Sequence, residues 1–387
     1  MRYDVIIRGG QVIDPSQQLA GVRDVAISGD RIAAVAERLT DAESDHVIDA
    51  RGLYVVPGLI DLHMHGYTHS PYGLEPDSLC AAGGVTTMLD TGTAGSYNFD
   101  AFRRDGIDRC QTQVLALVNL SCIGLIAANL GELLDRRYAD PDGVVKTIRR
   151  HPDVAVGVKI RAGKHIIGDG EQGWANLRDA IRAARESNTW LMVHIGECPM
   201  SLPELCEVLA PGDCITHCFK GGSTRVTDDQ GRIHAAVHEA AARGVVFDVG
   251  HGSGSFKWQV AEAALAQGFE PTTISTDLHT MNIHGPVYDM PTTMSKFLML
   301  GLSLERVIEK STTRPAMVLK REDELGTLRV GTIADIAVLE RHEGRFVLTD
   351  SYGEKRVGRE LLTAAATVRR GRIVPGGGGL RMRHLAE

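Results

Sequence analysis

No run of about 18 apolar residues occurs in this chain, so the sequence offers no membrane-spanning helix. Its opening residues, MRYDVIIRGG, lack the apolar centre of a signal peptide. Cysteine is sparse: seven residues, an odd number, lie scattered at 80, 110, 122, 198, 206, 214 and 218. That spacing builds no disulfide framework, and Cys214 with Cys218 finds no second matching pair for a structural zinc knot. A reduced, cytoplasmic protein is the expectation. Basic runs are missing too. Lys and Arg total 42 against 49 Asp and Glu, a net charge of −7, which argues against nucleic acid or an anionic membrane as main partner. Aromatic residues are only 5% of the chain, whereas its 43 glycines suit an α/β protein with many tight turns.

At 387 residues the chain is long for one core, and a large domain with a smaller companion is expected. The first 56 residues read as short strands: YDVIIRGGQVID, DVAISGDRIAAVA and HVIDARGLYVVPG alternate apolar and polar residues around glycine turns. LGTLRVGTIADIAVLE (325–340), RFVLTD (345–350) and AAATVRRGRIVPG (364–376) share that character. Residues 1–56 and 325–387 are therefore expected to form one small β-sandwich domain from both termini. Residues 57–324 have another rhythm. Strands are predicted at 59–65, 86–91, 114–121, 154–161, 190–196, 214–218, 245–250 and 273–277. Amphipathic helices are predicted at 175–188, 231–244 and 255–268. This alternation predicts an α/β fold, a (β/α)8 TIM barrel, with a doubly wound open sheet as competitor. Polar residues at the C-terminal tip of nearly every strand favour the barrel, because barrel active sites are built there.

Those tips carry the chemistry. In GLIDLHMHGY, His63 and His65 are two apart in a strand and so face one way. Two imidazoles behind an apolar run suit a metal ion, or else a pair of hydrogen-bonded core histidines. Lys159 sits in VGVKIR, His194 in LMVHIG, His217 in ITHC and Asp277 in TISTD. Each alone has a plain structural reading, but together they would converge at the mouth of a closed barrel. An ammonium in the middle of an apolar strand is costly to bury unpaired. Burial favours the neutral amine, which can add carbon dioxide to give a carbamate. A carbamate has two anionic oxygens, enough to bridge two divalent ions. His63, His65, Lys159 and Asp277 would then hold one ion, and Lys159, His194 and His217 the other. Nitrogen and oxygen ligands without thiolate suit Zn2+ best, with manganese, iron or nickel as substitutes.

PGLIDLHMH after a β-rich start, the strand-four lysine, the single histidines of strands five and six, TISTD and GTLRVGTIADIAVLE resemble the amidohydrolase superfamily over nearly the whole chain. VGVKIRAG, MVHIGECP, ITHCFKG and FDVGHGSGSF resemble its amidohydrolase/deacetylase branch, near dihydroorotases and isoaspartyl dipeptidases. The resemblance implies removal of acetyl groups from N-acetyl-D-amino acids or acetylated (R)-2-hydroxy acids, and it carries the ligand roles above over to the same residues. A water shared by two cations would then act as hydroxide, with Asp277 as proton acceptor and donor. A cyclic-amide hydrolase of dihydroorotase type is the nearest rival. Nucleobase deamination lies further off, since no acidic partner for ring nitrogens can be placed, and a non-enzymatic assembly role further still, since all six ligand positions are filled.

Arg161, two residues beyond Lys159, is read as a clamp for a substrate carboxylate, or as a brace or lid salt bridge. His251, in VGHGSGS, is expected to contact substrate or support an oxyanion, and His279 and His284 are candidate substrate contacts on a loop. His234 and His238 are four apart on a predicted helix but have no third ligand nearby. Cys198 and Cys218 read as small buried fillers. Stretch 162–174, AGKHIIGDGEQGW, has no Gly-Lys-Thr/Ser ending, so it is not a phosphate loop; it reads as a lid, and its Lys164 is the rival carbamate candidate. A small acylated carboxylate is the expected partner, and a homo-oligomer is compatible with the fold.

Overall fold

The computed structural model describes residues 1–374, so positions 375–387 of the expected terminal domain lie outside the described residues. Seven parallel strands form one sheet in sequence order: Leu59–Met64, Val85–Gly95, Gln113–Asn119, Ala155–Arg161, Trp190–His194, Cys214–Thr216 and Val246–Asp248. Every residue of the first two is buried, as expected of parallel strands covered on both faces. Alternate side chains divide between two cores. Ile60, Leu62, Leu89, Leu115, Leu117, Trp190, Met192 and Val246 gather in one cluster with Leu319 and Leu325. Their neighbours Leu59, Met88, Val114, Val158, Ile160, Leu191 and Phe247 join a second, larger cluster with Leu177, Ala180 and Ala184 of helix Gly170–Glu186. Each fully buried aliphatic side chain contributes roughly 1.5–3 kcal/mol.

The expected eighth strand, 273–277, is not a continuous strand. Two isolated parallel bridges, Asp248 with Thr273 and Met64 with Leu278, nearly close the barrel there. Between them the side chains of Ser275 and Thr276 bond to Asp248 and Asp61 in place of a regular ladder. The observed strands also stop short of the expected tips: His217 lies just past Cys214–Thr216, and His251 well past Val246–Asp248.

Both termini build a second, separate sheet of eight strands, mostly antiparallel. Tyr54–Pro57 is its seam: it pairs in parallel with Arg2–Asp14 and antiparallel with Ile336–Thr349. The long hairpin of Ile336–Thr349 and Lys355–Arg369 reaches the barrel, where helix Met290–Met299 packs on it; Leu362 N–H, for example, donates to Ser295 Oγ at 2.9 Å. Among the described residues, no helix is long and apolar enough to cross a membrane. The glycine-rich stretch 162–174 is largely helical, with Lys164–Ile167 followed by the start of Gly170–Glu186. Asp169 caps the second helix through Gly170 N–H, and Asn176 ties Ile167 down at 2.9 Å, so the stretch is a capped helical segment and not an irregular loop.

Candidate metal centre

The six strand-tip residues meet. His63 Nε2 lies 3.4 Å and His65 Nε2 3.2 Å from Asp277 Oδ1. Lys159 Nζ lies 3.4 Å from His63 Nε2, and His194 Nδ1 faces His217 Nε2 at 2.8 Å. Ligating atoms of His63, His217 and Asp277 fall within 4.8 Å of one another. His63 and His65 do share a face, although Ile60 and Leu62, out of phase with them, belong to the interior cluster. A register irregularity between Asp61 and Met64 re-phases the strand.

Hydrogen bonds fix which ring nitrogen His63, His65 and His217 present. Thr216 Oγ donates to Asp248 Oδ2 at 2.7 Å, so it can only accept from His63 Nδ1 at 2.8 Å. His65 Nδ1 meets Thr93 Oγ at 2.7 Å, and His217 Nδ1–H donates to the Gly250 carbonyl at 2.6 Å. Three Nε2 lone pairs are thereby left for the centre, the arrangement that orients metal-binding imidazoles. Burial keeps these rings neutral. It holds His63 and His194 well below the ordinary histidine range and takes His65 to about 3 and His217 to about 4. The same cause lowers Lys159 to about 8, with Asp277 pulling the other way. Lys159 Nζ has poor company: among the described residues, besides His63, only the Met192 sulfur, at 3.4 Å, is in reach.

The backbone is strained here. His217 and Asp277 have φ of 72° and 50°, in the left-handed region that non-glycine residues rarely enter. Such outliers gather where a site over-determines the chain. Gly92 serves a different need: a Cβ there would collide with the stem of Lys159.

The remaining expected residues are placed as follows. Arg161 is held by Glu132 through a two-pronged bond, 2.7 Å from Nε and 2.8 Å from Nη2, and also by the Ala128 carbonyl. Two of its nitrogens are therefore tied to a loop by a salt bridge, while the guanidinium also meets Tyr72. His251 is fully buried with both ring nitrogens bonded, Nδ1 to the Gly252 carbonyl at 2.9 Å and Nε2 to Lys296 at 2.7 Å. Both ring nitrogens are thus engaged within the protein, so a substrate contact by His251 would need one of these bonds to open. His279 is buried, with its ring centroid 6.2 Å from that of His65, and His284 is exposed. Lys164 pairs with Asp169 at 3.2 Å, away from the centre. His234 precedes helix Ala235–Arg243, His238 is exposed on it, and Cys198 and Cys218 are buried.

Sequence reasoning missed Asp61, Asp90, Thr93, Thr216, Asp248, Glu132 and Lys296. The signal was present for some: Asp90 in MLDT and Asp248 in VFDV are acidic residues inside apolar strands, which burial would penalise without partners.

Comparison with known proteins gives the context. The model of the amidohydrolase family matches residues 251–369. A deacetylase from Agrobacterium fabrum is 38% identical over 335 residues, 86% of this chain and 81% of its own length. The chain belongs to the amidohydrolase family. A crystal structure described as an adenine deaminase superposes on this amidohydrolase with a TM-score of 0.89 at 36% identity, covering 96% of this chain and 99% of its own. Another, described as a dihydroorotase, gives 0.89 at 33%, covering 97% and 99%. The amidohydrolase is thus a hydrolase acting on amide bonds. Its family generally uses metal ions, and the His63, His217 and Asp277 grouping suits one. Three relatives on one fold carry three different activity names, so the substrate has to be argued from the site.

Proposed function

We propose that this amidohydrolase is a binuclear metal-dependent deacetylase of small carboxylates, with N-acetyl-D-amino acids or acetylated (R)-2-hydroxy acids as substrates. The observation that carries the reading is Lys159: a buried amine with, among the described residues, no carboxylate in hydrogen-bond reach, set among four neutral imidazoles. Its Nζ is the atom that would take up carbon dioxide as a carbamate. His63, His65, Lys159 and Asp277 would hold one ion, and Lys159, His194 and His217 the other. When bound, two divalent ions, most simply Zn2+, supply Lewis acidity and a nucleophile from water at neutral pH. Asp277 accepts the proton of the attacking water and delivers it to the leaving nitrogen or oxygen. Arg161 faces Tyr72 with what Glu132 leaves of its guanidinium, the remaining cationic edge for a substrate carboxylate. The deacetylase names of relatives at 34–38% identity support the acyl group. A cyclic-amide hydrolase is the second reading, favoured by the neighbour described as a dihydroorotase.

Metal-loaded protein should turn over N-acetyl-D-amino acids or acetylated 2-hydroxy acids in a panel that also holds the L-forms, dihydroorotate and adenine. Turnover of dihydroorotate or adenine alone overturns the substrate assignment. Growth with 13C-bicarbonate should give a carbamate resonance that Lys159→Met lacks; its absence from the wild type removes the bridge.

A further inference from the structure

Outside the metal centre one lysine is wholly buried. Lys296, on helix Met290–Met299, is 0% exposed. Its Nζ donates to His251 Nε2 at 2.7 Å, the Thr349 carbonyl at 2.7 Å and the Pro286 carbonyl at 2.8 Å. An ammonium has three donors, and three acceptors take them. Those acceptors come from three separate segments: the loop after Val246–Asp248, the loop after Asp277 and the end of the terminal-sheet strand Ile336–Thr349.

The hairpin tip beyond Thr349 grips the same loop. Ser351 Oγ lies 2.8 Å from the Gly252 carbonyl and 3.0 Å from that of His251, while Ser351 N–H donates to the Phe256 carbonyl at 2.9 Å. Asp350 Oδ2 accepts from Trp258 N–H at 3.2 Å, and Tyr352 OH accepts from Gly221 N–H at 2.9 Å. The His251 ring stacks on Phe256 with centroids 4.6 Å apart. On its other side, segment 250–252 meets the metal centre. The Gly250 carbonyl takes the His217 Nδ1–H bond, and Gly252 lies so close to Asp277 that a Cβ there would overlap Oδ2.

We propose that Lys296 is a positioning residue which, together with the hairpin tip of the terminal sheet, pins residues 250–252 and so aims His217 and Asp277. A methionine would fill the same volume without the desolvation of an amine, so the lysine is explained by what it bonds and not by packing. The terminal sheet is then part of the catalytic scaffold and not only a neighbour of it. The kinetic consequence rests on the proposed function; the structural one does not.

Native-state hydrogen exchange on Lys296→Met and Ser351→Ala separates the two. Amides of 249–257 and 350–354 should exchange together about tenfold faster in Lys296→Met, and in the same direction in Ser351→Ala, with strand 2–14 unchanged. With an active substrate, kcat of Lys296→Met should fall about 10- to 100-fold while KM holds, and Lys296→Arg should recover part of it. Unchanged exchange at 249–257, or an increase spread evenly over the molecule, overturns the proposal. If Lys296→Met does not fold, Ser351→Ala decides it. A panel without any turnover sinks the functional reading and leaves the exchange result standing.

Discussion

Asp277 meets more demands than any other side chain in the centre. Its Oδ1 touches two imidazoles, its backbone is left-handed, and its N–H donates to the His63 carbonyl at 2.6 Å. Asn282 Nδ2 holds its carbonyl at 2.7 Å. A carboxylate fixed so tightly can move a proton without reorienting. Asparagine keeps the shape and one oxygen ligand but cannot accept the proton. Asp277→Asn should therefore retain its metal, read by elemental analysis, while kcat drops by about 10²- to 10⁴-fold. Equal turnover in the variant would remove Asp277 from the base role.

Among the elements, loop 250–252 is the narrowest joint between scaffold and chemistry. Gly252 has φ +54° and no room for a Cβ beside Asp277 Oδ2. Alanine there pays for the left-handed backbone, on the order of 1–3 kcal/mol, and displaces the carboxylate as well. Gly252→Ala should lose activity far out of proportion to its shift in melting temperature, measured on the same preparation. Near-normal kcat would mean that the loop yields away from Asp277. Stretch 162–174 shows the opposite case. Its glycines read as a loop, yet Asp169 caps the helix that begins at Gly170, a local signal, and Asn176 bonds back to Ile167 nine residues earlier, which no local pattern shows.

At the scale of the whole molecule, buried imidazoles tie stability to pH. His65 and His217 titrate at about 3 and about 4 when folded, against 6.5 otherwise. Below pH 6.5 the unfolded chain takes up protons that the folded chain refuses. Their contribution to stability is thus complete above pH 6.5 and is lost as pH falls toward 4 and then 3. Asp61, raised by burial to about 7, works with the opposite sign, so a difference measurement is needed. Metal-free wild type should lose more stability between pH 7 and pH 5 than metal-free His65→Gln, by urea midpoints. Equal losses would mean that His65 is solvated without metal.

The sequence by itself pointed to the barrel, short of its broken eighth strand, to the terminal sheet and to six polar residues that the fold brings together, because strand periodicity and the cost of buried polar groups are local properties readable from order alone. It could not determine partners. Whether Arg161 faces substrate or Glu132, whether His251 is open or locked by Lys296, and which ring nitrogen each histidine turns inward all depend on residues 23 to more than 150 positions away. Those choices follow from competition among hydrogen-bond acceptors in a closed, dry interior, and that competition exists only once the barrel and the hairpin have come together.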